Sequence, residues 1–318
     1  MNVRRRHISG IALAAATAVG LGTLSACSSD SAAAGNTDKF DVVASFYPMQ
    51  YLAEEIGGDH VNVTTLTEPG QEPHELEISA RQTAQLQEAD AVLYLKGLQP
   101  AVDDAVSQAD VATKIDAATL TRLEDHGAGG HDHEGEEASS EQEEHARDPH
   151  VWLDPVKYAE VAEGVAAAFE KADPDHAADY RKNAEALTGR LDDLNTSFEN
   201  GLKHTDSKVF FTNHAAFGYL AERYGLTQEA ITGLDPESEP SPARIRELQE
   251  EAEADGVTTV FYETLVSDKT AKTLARDAGL RTAVLDPLEG ITDRSAGDDY
   301  LQVMRSNLTA LETALGAK

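Results

Sequence analysis

FDVVASFYPMQYLAEEIGGDHVNVTTLT, residues 40–67, decides the fold. FDVVASF (40–46) reads as a strand. PMQYLAEEIGG (48–58) reads as a helix that opens on proline and stops on glycine. VNVTTLT (61–67) is a strand by its β-branched alternation. The theme continues in both directions. Ser79 caps a helix through Glu88, AVLYLKG (91–97) is a strand, and a helix follows near 100–109. The second half repeats it. KVFFTN (208–213), TTVFYE (258–263) and RTAVLD (281–286) are strands; AAFGYLAERYG (215–225), SPARIRELQEEAEADG (241–256) and DKTAKTLARDAG (268–279) are helices. A last helix runs from about Asp298 to Leu315. The expected class is α/β: two similar lobes, each a parallel sheet flanked by helices.

Residues 155–204 are mostly helical and broken at Asp173-Pro174. After Pro174, Tyr180, Ala184, Leu187, Leu191, Leu194 and Phe198 recur at spacings of three and four, which makes one apolar face. Such a helix is about 40 Å long and is expected to act as a spine joining the lobes. The partition that follows is 40–172 for the N-terminal lobe, 173–204 for the connecting helix and 205–318 for the C-terminal lobe.

The start of the chain carries Arg4, Arg5 and Arg6, an apolar stretch from Ile11 to Leu24, and then Leu24-Ser25-Ala26-Cys27. This reads as a secretory signal, residues 1–26. Cys27, the only cysteine, stands in a lipobox-like position; it is expected to be acylated and to anchor the chain to a membrane. Residues 27–39 form a tether. Removing residues 1–26 takes away three arginines and no acid, so the formal charge moves from −31 to −34. That balance argues against nucleic acid as a partner and suits the gathering of cations.

EDHGAGGHDHEGEEASSEQEEH, residues 124–145, holds His126, His131, His133 and His145 among nine carboxylates. It cannot build a core, and the loop 124–147 is expected to be disordered. Imidazole and carboxylate are ligands for zinc-like metals, so these four histidines are candidates for an auxiliary, weak metal-collecting loop. Its removal is expected to leave any tight site intact.

In open α/β sheets, ligands sit beyond the C-terminal ends of strands. That rule picks out His74 in the loop after strand 61–67, His214 after strand 208–213, and Asp286 at the end of strand 281–286. His150, in DPHVWLDP, leads into the connecting helices. Three imidazoles and one carboxylate make a complete four-coordinate shell for Zn²⁺. Glu263, at the end of strand 258–263, is a candidate ligand in place of Asp286 or a supporting carboxylate behind the ligands, and Glu77 is a candidate for the same supporting layer. Trp152 reads as packing.

The loop around Pro73-His74, DPHVWLDP, NHAAFGYLAERYGL, EPSPARIRELQ and LDPL together resemble the zinc and manganese solute-binding lipoproteins of bacterial ABC importers, the cluster A-I or cluster 9 group. The resemblance covers roughly residues 40–316. It implies metal histidines at His74, His150 and His214, a carboxylate at Asp286, and two lobes joined by one long helix. It also implies a partner permease with its ATPase, an extracytoplasmic lipid-anchored location, a monomer, and no enzymatic activity. Manganese members usually carry glutamate where this chain has His214, so the resemblance favours Zn²⁺ as cargo. The alternatives are a manganese-binding member, an adhesin of the same fold, or a zinc hydrolase; against the last, the chain lacks HExxH.

Overall fold

The computed structural model describes residues 39–126 and 147–318. In the first half, β1 (Phe40–Ala44), α1 (Tyr47–Gly57), β2 (Val61–Thr65), α2 (Ala80–Glu88), β3 (Ala91–Tyr94), α3 (Pro100–Gln108) and β4 (Thr113–Asp116) follow one another. The strands pair in the order β2-β1-β3-β4, all parallel. Two helices, α4 (Pro155–Ala172) and α5 (Ala177–Leu202), come next. Then β5 (Val209–Thr212), α6 (Gly218–Tyr224), β6 (Thr227–Ala230), α7 (Pro242–Ala254), β7 (Thr259–Tyr262), α8 (Lys269–Ala278), β8 (Arg281–Val284) and α9 (Tyr300–Leu315) complete the chain. Their strands pair in the order β6-β5-β7-β8, again all parallel. The two halves therefore share one topology.

Strand alternation sorts the core into layers. Val42, Ala44, Ala91 and Leu93 of the first sheet, with Phe210 and Phe261 of the second, belong to one large central core. Val43 and Val92 turn the other way, onto Val102 and Val106 of α3 and Leu86 of α2. Phe211 and Val260 likewise face Leu248 of α7 and Leu274 of α8. Helices thus cover both faces of both sheets, as parallel strands require.

The central layer is built around α5. It has 26 residues and is roughly 39 Å long. Tyr180, Ala184, Leu187, Leu191, Leu194 and Phe198, the face read from the sequence, are all buried. The helix packs on α1 and α4 from one side of the chain and on α6 and α9 from the other. Gly57 ends α1 where the chain turns back tightly; a Cβ there would lie 2.3 Å from both methyls of Val61.

Two strands lie outside the sequence-based expectation. TKID (β4) and TQEA (β6) lack an apolar run because each is an edge strand with one neighbour. The helix expected over 215–225 begins only at Gly218. Residues 213–217 instead form the turn that carries His214. Among the described residues, no helix is long and apolar enough to cross a membrane.

Candidate metal centre

Four donor atoms converge beyond the C-terminal ends of the two sheets. They come from His74, His150, His214 and Glu289, and all lie within 4.8 Å of one another. Each is delivered by a different loop. His74 follows β2; its backbone N–H donates to Glu72 Oε1 at 3.0 Å. Asp148 accepts from His150 twice through Oδ1, from the backbone N–H at 2.9 Å and from ring Nδ1 at 2.7 Å. His214 follows β5; Thr212 Oγ1 and Gln228 Nε2 both donate to its carbonyl, at 2.8 and 3.0 Å. Glu289 stands in the Pro-Leu-Glu-Gly turn after β8.

The turn holding Glu289 is tightly specified. Leu288 has φ +58, in the left-handed region that is unusual for a residue with a bulky side chain. Its N–H donates to Asp286 Oδ1 at 2.9 Å. Trp152 Nε1 donates to the Pro287 carbonyl at 2.7 Å. Asn307 of α9 brackets Asp286, accepting from its N–H and donating to its carbonyl. These contacts aim the Glu289 side chain inward, where it is fully buried.

The spacing fits a tetrahedral ion. Glu289 Oε1 lies 3.1 Å from His74 Nε2 and 3.3 Å from both His150 Nε2 and His214 Nε2. His150 Nε2 and His214 Nε2 are 3.4 Å apart. Zinc bonds of about 2.0–2.1 Å to nitrogen and oxygen give a tetrahedron with edges of about 3.3 Å. The second oxygen, Glu289 Oε2, is buried without a hydrogen-bond partner among the described residues, as suits a carboxylate whose partner is an ion.

Charge around the site favours a cation. His214 Nδ1 pairs with Glu263 Oε1 at 2.6 Å, just as His150 Nδ1 pairs with Asp148. Both rings therefore turn Nε2 to the centre, with a carboxylate behind each. Burial would lower the pKa of His214, but the charges of Glu263 and Glu289 outweigh it and hold the ring well above the usual histidine range. His150 shifts upward too; hydrogen bonds to Asp148 and Glu289 overcome its burial. Burial would raise Glu289, yet the charge of His214 and hydrogen bonds from the imidazoles keep it well below the usual carboxylate range. The upward shifts of His150 and His214 show that this pocket favours positive charge, the kind a divalent cation would bring.

The chain matches, over residues 42–314, the family described as ZnuA, zinc-uptake complex component A, periplasmic. The chain belongs to the ZnuA family. It is similar to the high-affinity zinc uptake system protein ZnuA of Bacillus subtilis (strain 168), 33% identical over 315 residues, covering 94% of this chain and 98% of that protein. It is 37% identical over 296 residues to the zinc-binding lipoprotein AdcA of Streptococcus pneumoniae (strain ATCC BAA-255 / R6), covering 91% of this chain but only 58% of AdcA. The chain thus spans little more than half the length of that relative. The crystal structure of Zn(II)-bound AdcA from S. pneumoniae superposes with a TM-score of 0.72 at 36% identity, covering 87% of this chain and 58% of that one.

Within this ZnuA-family chain the structure brings together three of the four residues picked from sequence, His74, His150 and His214, and replaces the fourth. Asp286 lies outside the cluster of donor atoms. Its Oδ1 accepts from Leu288 N–H and its Oδ2 from Thr264 Oγ1 at 3.2 Å; burial pushes its carboxyl up. It shapes the turn that presents Glu289. Glu263 does back a candidate ligand, His214. Glu77 is exposed; besides Glu289, the carboxylate beside His74 is Glu72, whose Oε1 accepts from the His74 backbone N–H and lies 3.9 Å from Nε2. Trp152 is fully buried and also ties the His150 segment to the Glu289 turn. His131, His133, His145 and Cys27 lie outside the described residues. Glu289 was missed because the strand-end rule stops at Asp286. Its signal was an acid inside the otherwise apolar PLEGI, residues 287–291.

Proposed function

We propose that the chain captures extracytoplasmic Zn²⁺ on His74, His150, His214 and Glu289 and delivers it to an ABC-type import permease. The observation that carries this reading is the convergence of four donors at zinc-sized spacing, three of them buried and His74 half-buried. Three imidazoles with one carboxylate suit zinc better than manganese, which prefers oxygen ligands. The fourth protein donor fills the position that a zinc hydrolase would keep open for water, so the set suits holding and handing over an ion rather than catalysis. Membership of a zinc-uptake family supports the partner. The name of the streptococcal relative, a lipoprotein, supports acylation at Cys27 and a membrane-anchored carrier.

Titration of the metal-free chain with Zn²⁺ and Mn²⁺ tests the reading. One tight zinc per chain, weak manganese, and loss of the tight zinc in His74→Ala, His150→Ala and His214→Ala are expected. Retention of wild-type affinity in His214→Ala would overturn it. Acyl mass on Cys27 in membrane-extracted protein, and release of Cys27→Ser into the medium, test the anchor.

A further inference from the structure

Behind His150 lies a second imidazole that the metal reading does not use. The Asp148 carboxylate is shared: Oδ1 serves His150, and Oδ2 pairs with His126 Nδ1 at 2.8 Å. The far nitrogen of His126, Nε2, lies 2.9 Å from Glu222 Oε2 on α6. Glu222 is 65% exposed, whereas the Asp148 side chain is fully buried. An unbroken run of hydrogen bonds therefore leads from the metal-facing ring of His150 to the protein surface.

The seat of His126 is built. Gly218 forms its floor: a Cβ there would lie 2.6 Å from His126 Cβ and Cγ and 2.9 Å from Asp148 Oδ2. Tyr219 meets the imidazole edge-on, with ring centroids 4.3 Å apart. The Tyr219 hydroxyl donates to the Asp148 carbonyl at 2.7 Å and accepts from Glu124 N–H at 2.8 Å. Asp148 N–H donates back to the Glu124 carbonyl at 3.0 Å. Residues 124–126 and 148 are thus pinned to each other and to α6.

We propose that His126 is a positioning residue of the metal site: by holding Asp148 Oδ2, it fixes the carboxylate that orients the His150 ring and sets its Nδ1–H tautomer. The proposal rests on His150 being a metal ligand. Without His126, a buried carboxylate oxygen loses its partner, which is costly. The carboxylate is then held only at Oδ1, by the His150 N–H and ring Nδ1, and can pivot about that oxygen, so the ring bonded to it is less firmly oriented. This assigns His126 to the tight site rather than to the auxiliary loop where its sequence neighbours suggested it belonged.

The test uses the whole chain loaded with Zn²⁺ for affinity and with Co²⁺ for the ligand-field spectrum. Removing a direct carboxylate partner of a metal histidine costs about 10- to 100-fold in affinity; one bond further out, about 3- to 10-fold is expected for His126→Ala. Gly218→Ala, which crowds the seat without removing the ring, is expected to act in the same direction. His126→Asn places an amide nitrogen where Nδ1 stood and should restore affinity; His126→Gln should not. The Co²⁺ bands should shift in His126→Ala and Gly218→Ala and return in His126→Asn. Wild-type affinity and spectrum in His126→Ala would overturn the proposal, as would equal losses in the Ala and Asn variants with unshifted bands. A Co²⁺ spectrum insensitive to His150→Ala would instead overturn the metal reading on which it stands.

Discussion

Glu289 and Asp286 stand three residues apart and are assigned opposite duties, which makes the pair Glu289→Ala and Asp286→Ala the sharpest comparison. Glu289 Oε1 touches all three imidazoles at 3.1–3.3 Å. A closed zinc site is worth about 10–16 kcal/mol, so one donor of four carries about 3 kcal/mol. Water refills part of the vacancy; about 100-fold weaker zinc binding is expected for Glu289→Ala. Asp286 instead accepts from two buried donors, Leu288 N–H and Thr264 Oγ1, and from the half-buried Ser295 side chain. Its removal leaves two buried donors unsatisfied, at about 1–3 kcal/mol each. Asp286→Ala should therefore lower the melting temperature of the metal-free protein by several degrees, at about 2–4 °C per kcal/mol. Its zinc affinity should fall by less than about tenfold. Competition against a chromophoric chelator gives the affinities, and calorimetry gives the melting temperatures. If Asp286→Ala loses more zinc affinity than Glu289→Ala while its metal-free form melts normally, the assignment of the fourth donor is wrong.

Deleting residues 127–146 should leave the tight zinc in place by isothermal titration, whereas deleting 124–147 should weaken it, because the longer cut removes His126 and Glu124. The shift in melting temperature on adding zinc should grow as pH rises from about 6 to 8. The raised pKa of His150 and His214 stabilises the metal-free fold below the unfolded value near 6.5 and loses that contribution as pH climbs through the folded value, while zinc meets fewer competing protons; a shift independent of pH in thermal scans would contradict this. Gly57→Ala should destabilise by about 1–3 kcal/mol in urea unfolding, since its new Cβ meets the Val61 methyls.

Much of this architecture was legible because its local signals agree. The apolar runs of β1 and β3, the β-branched alternation of β2, the Ser79 cap and the α5 stripe each read correctly from their own segment, since burial on both faces of a strand leaves a continuous apolar run and burial on one face of a helix leaves a periodic one. The edge strands β4 and β6 were not legible, because an edge position tolerates the polar TKID and TQEA, whereas the edge strands β2 and β8 keep β-branched and apolar residues that could be read. The three histidines of the candidate site were legible through position: each follows a strand or opens the connecting helices. Glu289 and the role of His126 were not. Glu289 depends on a left-handed Leu288 and on a bond from Trp152, 135 residues away. His126 depends on contacts with α6, 96 residues further on. Neither relation leaves a local trace.

The same long reach has a bearing on how the molecule is made. His74 and Glu289 are 215 residues apart, and each half of the chain supplies only two of the four donors. Closing a loop of that length in an unfolded chain costs about 5 kcal/mol in entropy before any bond to metal forms. A nascent or unfolded chain therefore has no tight site. The ion is caged only after the last sheet and the turn beyond β8 are in place, so a tightly held zinc is a report that both sheets have folded and met.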